Sequence, residues 1–250
     1  MKNNRNMNFY FVFEGKTEPI VYKKWLSVML PDLTEVDSFD AVKQNNYYYE
    51  SDMGVPDCYR VTANAIQEIN LFPQYNYLVL FTDADRFTVS EKKAEADQQI
   101  QLKLQDKPFK TLPQNCQLEI IVQKVCIETW FLGNKNFFVR HPQKNEILKQ
   151  YIKYFDVSQS NPEDLAGEFV QDEENTKEIF GYKTKALFHE GYLREIFKER
   201  GLSYTKSRPK EVQEEYYLKQ LIARIEANSD HLLSFQEFIR FCLKIKKQQN

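Results

Sequence analysis

Residues 8 to 13 (Asn8-Phe9-Tyr10-Phe11-Val12-Phe13) are apolar without alternation, the pattern of a strand covered on both faces. Glu14-Gly15-Lys16 follows as a turn. Thr17 reads as an N-cap and Pro19 suits a first helical turn. Val21, Tyr22, Trp25, Leu26 and Met29 then recur at helical spacing until Pro31. Residues 34 to 40 read as a second strand. Residues 45 to 56, with Tyr47-Tyr48-Tyr49 and Gly54, read as a loop or a short strand pair. A helix is expected over 59–71, with Ala63 and Ile66 on one side. Residues 75 to 81 are the clearest strand, closing at Thr82-Asp83-Ala84-Asp85. Thr88 and Glu91 have capping-box spacing for a polar helix reaching Gln105. Residues 118 to 125 form another strand, and a helix begins at Ile127.

Strand and helix thus alternate, which predicts an α/β fold with a doubly wound, mainly parallel sheet. The expected division is an α/β domain over residues 1–135 and a helical region over 136–250 packing on it. In the second region Asn161-Pro162 starts one helix, and Leu218, Leu221, Ile222 and Ile225 line a second. Ser234 and Glu237 again have capping-box spacing, with Leu233 and Phe238 as a hydrophobic staple, opening a last helix through Ile245.

Composition narrows the chemistry. The 250 residues include 42% hydrophobic positions, 19 Phe and 15 Tyr, enough for a sizeable core and too many for a disordered chain. With 7 Gly and no cluster of them, a P-loop and a dinucleotide fingerprint are excluded, because both bring backbone against phosphate through glycine. Cys58, Cys116, Cys126 and Cys242 are scattered and read as small core residues. His141, His189 and His231 are each isolated, so a metal here would be held by carboxylates. No apolar run has the length of a membrane span, and the N-terminal one stops at Glu14, a poor signal peptide. A soluble, cytoplasmic protein is expected.

The net charge of −2 hides a local split. Eight acidic residues lie between Asp156 and Glu178, and eight basic ones between Lys183 and Lys210. The basic stretch, interleaved with Tyr182, Tyr192 and Tyr204, has the makings of a phosphate-tracking surface. Its plainer reading is a solvated helix face balanced by the acidic segment.

Carboxylates recur at equivalent places. Glu14 ends the first strand, and Asp83 and Asp85 end the strand of residues 75–81. In a parallel sheet such ends share one edge, where open α/β folds bind ligands. Glu18 lies one helical turn beyond Glu14. Clustered carboxylates repel one another, and Mg²⁺, with its preference for hard oxygen donors, is the natural compensation. Taken singly, Asp-x-Asp also caps turns, and a Glu at such a turn also partners a helix dipole.

The Glu14-Gly15-Lys16-Thr17-Glu18 and Asp83-Ala84-Asp85 segments resemble the two signature motifs of TOPRIM domains, the metal-binding folds of topoisomerases, primases and OLD-type nucleases. Glu128-Thr129-Trp130-Phe131-Leu132, Tyr204-Thr205-Lys206 and the C-terminal helices look similar to smaller bacterial TOPRIM-like proteins of phage defence. The resemblance covers residues 7 to 135 and extends loosely beyond. It implies Mg²⁺ (or Mn²⁺) and phosphodiester hydrolysis of DNA or RNA, and it allows an ATPase partner subunit. On it, Glu14 is a metal ligand or general acid/base, Glu18, Asp83 and Asp85 bind metal, and Glu128 helps hold a second ion. Lys206, with Lys16 next, neutralises charge developing on the phosphate. The rival reading is a non-catalytic TOPRIM-like subunit that binds nucleic acid or a partner protein.

Overall fold

Continuous apolar character makes β1 (Phe9–Phe13) the centre of the fold, with every residue buried. The computed structural model describes residues 6–51, 54–138, 144–165 and 184–249. His141, Tyr182, Lys183 and the acidic residues Glu168, Asp172, Glu173, Glu174 and Glu178 lie outside that set. Two compact units emerge: Met1–Thr82 with Thr88–Val122 and Glu237–Asn250, and Asp83–Phe87 with Gln123–Gln236.

The first unit is α/β. Its elements are β1, α1 (Thr17–Met29), β2 (Thr34–Glu35), β3 (Asn46–Glu50), α2 (Asp57–Leu71), β4 (Tyr77–Asp83), α3 (Val89–Leu104) and β5 (Gln117–Gln123). The sheet is parallel throughout, in the order β2-β3-β1-β4-β5. Phe9 lies opposite Tyr47 on one side and Tyr77 on the other, and Phe13 opposite Phe81. One face, with Tyr10, Val12, Leu78 and Leu80, packs on an aliphatic layer that includes Val61, Ile66, Ile69, Ala96 and Ile100 of α2 and α3. The other face is aromatic. Phe13 stacks on Phe81 at 4.9 Å and on Tyr22 of α1 at 5.5 Å. Phe238 and Phe241, from the last helix, meet Tyr22 and Phe9 edge-on. Trp25 is fully buried on this face.

Several boundaries differ from the sequence reading. Thr17 is already helical, and Lys16 precedes the helix without a side-chain cap. The second strand is only Thr34–Glu35, and Phe39–Ala41 is a 3₁₀ turn. Residues 46–50 form a true strand. Tyr47 packs on Phe11 and Tyr48 on Tyr10, opposite faces of β1, an alternation hidden because all three neighbours are tyrosines. The Thr88–Glu91 capping box forms as expected.

The second unit is helical: α4 (Ile127–Leu132), α5 (Glu146–Tyr154), a helical turn at 162–165, α6 (Lys185–Glu199), α7 (Glu215–Ala227) and the first residues of α8 (Leu233–Gln249). Asn161 accepts the Glu163 N–H and so starts its turn as predicted. The buried Arg224 guanidinium donates to the carbonyls of Gly133 (2.7 Å), Val157 (3.1 Å) and Ser160 (3.2 Å), joining three segments without a carboxylate. The second capping box is absent, since α8 already includes Leu233 and Ser234 is buried within it. Ser234 Oγ accepts from Trp130 Nε1 at 2.7 Å and donates to Glu163 at 2.5 Å, so its hydroxyl serves a tertiary network. Leu233 is half exposed and staples nothing. No helix among the described residues is long and apolar enough to cross a membrane.

Candidate metal and phosphate site

The end of β1 carries the first candidate group, within the sheet unit. Glu14 N–H donates to Phe81 O (3.1 Å), extending the β1–β4 ladder by one residue. Its Oε2 accepts the Thr82 hydroxyl at 2.5 Å. Glu18, buried in the first turn of α1, folds back over Gly15. A Cβ at Gly15 would stand 2.7 Å from Glu18 Oε2, so any side chain there would displace that carboxylate. Lys16 is exposed. Burial, and secondarily the charge of Glu14, push the Cys58 thiol up to about 12, which makes it an inert core residue.

In the helical unit, the segment after β4 meets the segment after β5. Ala84 N–H donates to Gln123 O (2.8 Å) and Asp85 N–H to Val125 O (2.9 Å). Both Asp85 (φ 51°) and Val125 (φ 67°) are left-handed. For a β-branched valine this is strained backbone, held at the point where the chain turns into α4.

That turn delivers Glu128, which is fully buried. Its Oε1 accepts the Tyr204 hydroxyl at 2.8 Å. The Lys206 ammonium lies 3.9 Å from the same oxygen and 4.0 Å from Glu190 Oε2. Glu190, on α6, is also buried and pairs with Arg194. Glu128 Oε2 is buried with no hydrogen-bond partner among the described residues. Burial alone would weaken the proton on Lys206, but Glu128 and Asp83 outweigh it and hold the ammonium above its ordinary range. The Cys126 thiol is lifted far out of reach, by burial first and then by Glu128 and Asp83. Beside Glu128, Thr129 Oγ1 lies 2.5 Å from His189 Nδ1, and burial drives His189 down to about 3, a neutral imidazole.

Lys206 stands on a tight turn. Thr205 and Arg208 form an isolated antiparallel bridge, and Arg208 N–H donates to Thr205 O at 3.0 Å. The anchor of this turn is Tyr204, buried edge-on against Phe131 (6.1 Å) and Phe197 (5.8 Å). Elsewhere the basic stretch is partly committed. Arg194 pairs with Glu190 and Lys198 with Glu195, while Arg200 lies over the Phe137 ring and donates to its carbonyl. Those three are engaged by acids of the basic stretch itself and by Phe137, not by the Asp156–Glu178 segment.

The structure therefore brings Lys206 to Glu128 and within the electrostatic reach of Asp83, and it brings Glu14 to Thr82. Asp85 is exposed on its left-handed turn. Two contributors escaped the sequence reading: Glu190, one acid among many on a basic segment, and the Tyr204 hydroxyl, 76 residues from its partner. Nothing local in the sequence marks either as buried against Glu128.

The candidate donors are carboxylate oxygens, the kind a hard cation takes, and one of them is buried without a hydrogen-bond partner among the described residues. Among the described residues no group of three or more His, Cys, Asp or Glu is gathered to hold an ion. Mg²⁺ is commonly bound through one or two carboxylates, with water and substrate phosphate completing its shell. No family model, curated protein or solved structure matches the chain.

Proposed function

We propose that the chain is a Mg²⁺-dependent nuclease of TOPRIM type that hydrolyses phosphodiester bonds of DNA or RNA, in bacterial phage defence and with an ATPase partner. The observation that supports this reading best is the buried Oε2 of Glu128, without a hydrogen-bond partner among the described residues, beside a lysine that Glu128 and Asp83 keep charged. In this reading Glu14, Glu18, Asp83, Asp85 and Glu128 are the carboxylates assigned to metal. Bound Mg²⁺ would supply an activated water and stabilise the leaving oxygen. Lys206, held protonated, is unsuited to act as a base. Its contribution is electrostatic, offsetting charge that grows on the phosphoryl oxygens.

The absence of a three-ligand group among the described residues favours a second reading, a non-catalytic subunit that binds nucleic acid or a partner protein. A cleavage assay on mixed DNA and RNA with Mg²⁺, Mn²⁺ or EDTA separates the two. The nuclease reading expects metal-dependent cleavage that Asp83→Asn and Glu128→Gln abolish. Lys206→Ala should lower turnover about 10²–10³-fold with a smaller change in KM. Lys206-dependent binding without cleavage in either metal would instead establish the binding subunit.

A further inference from the structure

We infer that Tyr204 is a positioning residue, whose hydroxyl clamps one oxygen of Glu128 and whose backbone sets Lys206 beside it, so that carboxylate and ammonium are presented together. This rests on the metal-dependent reading above and names a residue to which that reading gives no role.

The geometry carries the argument. The Tyr204 hydroxyl donates to Glu128 Oε1 at 2.8 Å, and both residues are shielded from solvent. The ring is wedged between Phe131 and Phe197, so the hydroxyl has little freedom to leave. With Oε1 engaged, Oε2 is the buried oxygen left without a hydrogen-bond partner among the described residues, so the carboxylate is held in one direction. The same residue opens the Thr205–Arg208 turn that carries Lys206 to 3.9 Å from the clamped oxygen. A neutral phenol serves this role well. A partner behind a ligand that fixes its orientation is worth about 10–100-fold in metal affinity.

Tyr217 provides an internal control. It is also fully buried, and its hydroxyl donates to the Phe131 carbonyl at 2.8 Å, a bond with no carboxylate in it.

The test compares full-length wild type, Tyr204→Phe and Tyr217→Phe in three measurements: Mn²⁺ affinity by titration calorimetry, the acylation rate of the Lys206 amine by peptide mapping, and urea unfolding. Both variants should lose similar stability. Only Tyr204→Phe should bind Mn²⁺ about 10-fold more weakly and change the acylation rate at Lys206. Wild-type Mn²⁺ affinity in Tyr204→Phe would overturn the inference while leaving the metal reading standing. If wild type itself binds no Mn²⁺, the metal reading falls first and this inference with it. Should Tyr204→Phe fail to fold, the unmutated protein still decides, by tyrosine ¹³Cζ resonances followed during Mg²⁺ titration. Tyr204 should move and Tyr217 stay still; equal or absent movement of both overturns the inference.

Discussion

Two acidic knots, one in each unit, solve the same problem in different ways. In the helical unit, Glu128 is compensated by a cation, Lys206, with Tyr204 donating to the same oxygen. In the sheet unit, the Tyr10 hydroxyl lies 2.9 Å from Glu50 Oε1 and 2.8 Å from Glu68 Oε2. A phenol has one proton to give. The two carboxylates therefore compete for it, and burial raises the Glu68 carboxyl above its ordinary value. Among the described residues neither Glu50 nor Glu68 has an ion-pair partner. One knot sets an ammonium beside its carboxylate; the other places two carboxylates on a single phenol.

The pH response should expose the contrast most strongly. His189, packed beside Glu128 on Thr129, is lowered to about 3 by burial, and His231 to about 4. A histidine with a depressed folded pKa stabilises the fold above its unfolded value, and that contribution is lost as pH falls through the window down to the folded value. For His189 alone the loss between roughly pH 6.5 and 3 is on the order of 4 kcal/mol. Glu163, lifted by burial, works against it. Urea unfolding at pH 7 and pH 5 measures the effect, and His189→Gln should flatten it. An unchanged midpoint in wild type would remove the imidazole from this account.

Next in size is the cation itself. Lys206→Met leaves Glu128 with the phenol alone. Because Lys206 is 47% exposed and its ion pair is long, the expected loss is discounted to about 1–2 kcal/mol. Glu128→Gln in the same chain should recover part of that loss. A double-mutant cycle by urea unfolding that shows strict additivity would mean the two groups do not interact.

The smallest effect belongs to Glu68. A carboxyl with a raised folded pKa stabilises the fold below its unfolded value and loses that contribution as pH rises through the folded one. Glu68→Gln should therefore gain more over wild type near pH 8 than near pH 4. The opposite trend would reverse the direction given to Glu68.

How much of this was legible depended on distance along the chain. β1 and β4 announced themselves because a strand covered on both faces needs unbroken apolar residues. The Thr88–Glu91 box was legible because its partners are three residues apart. Ser234 and Glu237 have the same spacing and form no box, because Trp130, Lys124 and Glu163 claim the serine through long-range contacts. Lys206 was found through a motif, and Glu128 likewise. Their meeting, and the parts played by Glu190 and Tyr204, follow from the packing of α4, α6 and the Thr205–Arg208 turn, which no local pattern encodes. The strain at Val125 was equally silent, since valine there reads as ordinary strand.

The chain holds only two tryptophans, and the fold has put one in each unit: Trp25 on the aromatic face of the sheet and Trp130 in α4, both fully buried. Each is thus a fluorescent reporter of its own unit. Trp25→Phe leaves emission that senses only the surroundings of Glu128, and Trp130→Phe leaves emission that senses only the sheet. Coincident denaturation curves from the two single-tryptophan proteins would mark one cooperative transition. Separated curves would give each acidic knot its own unfolding free energy, read optically and without further labels.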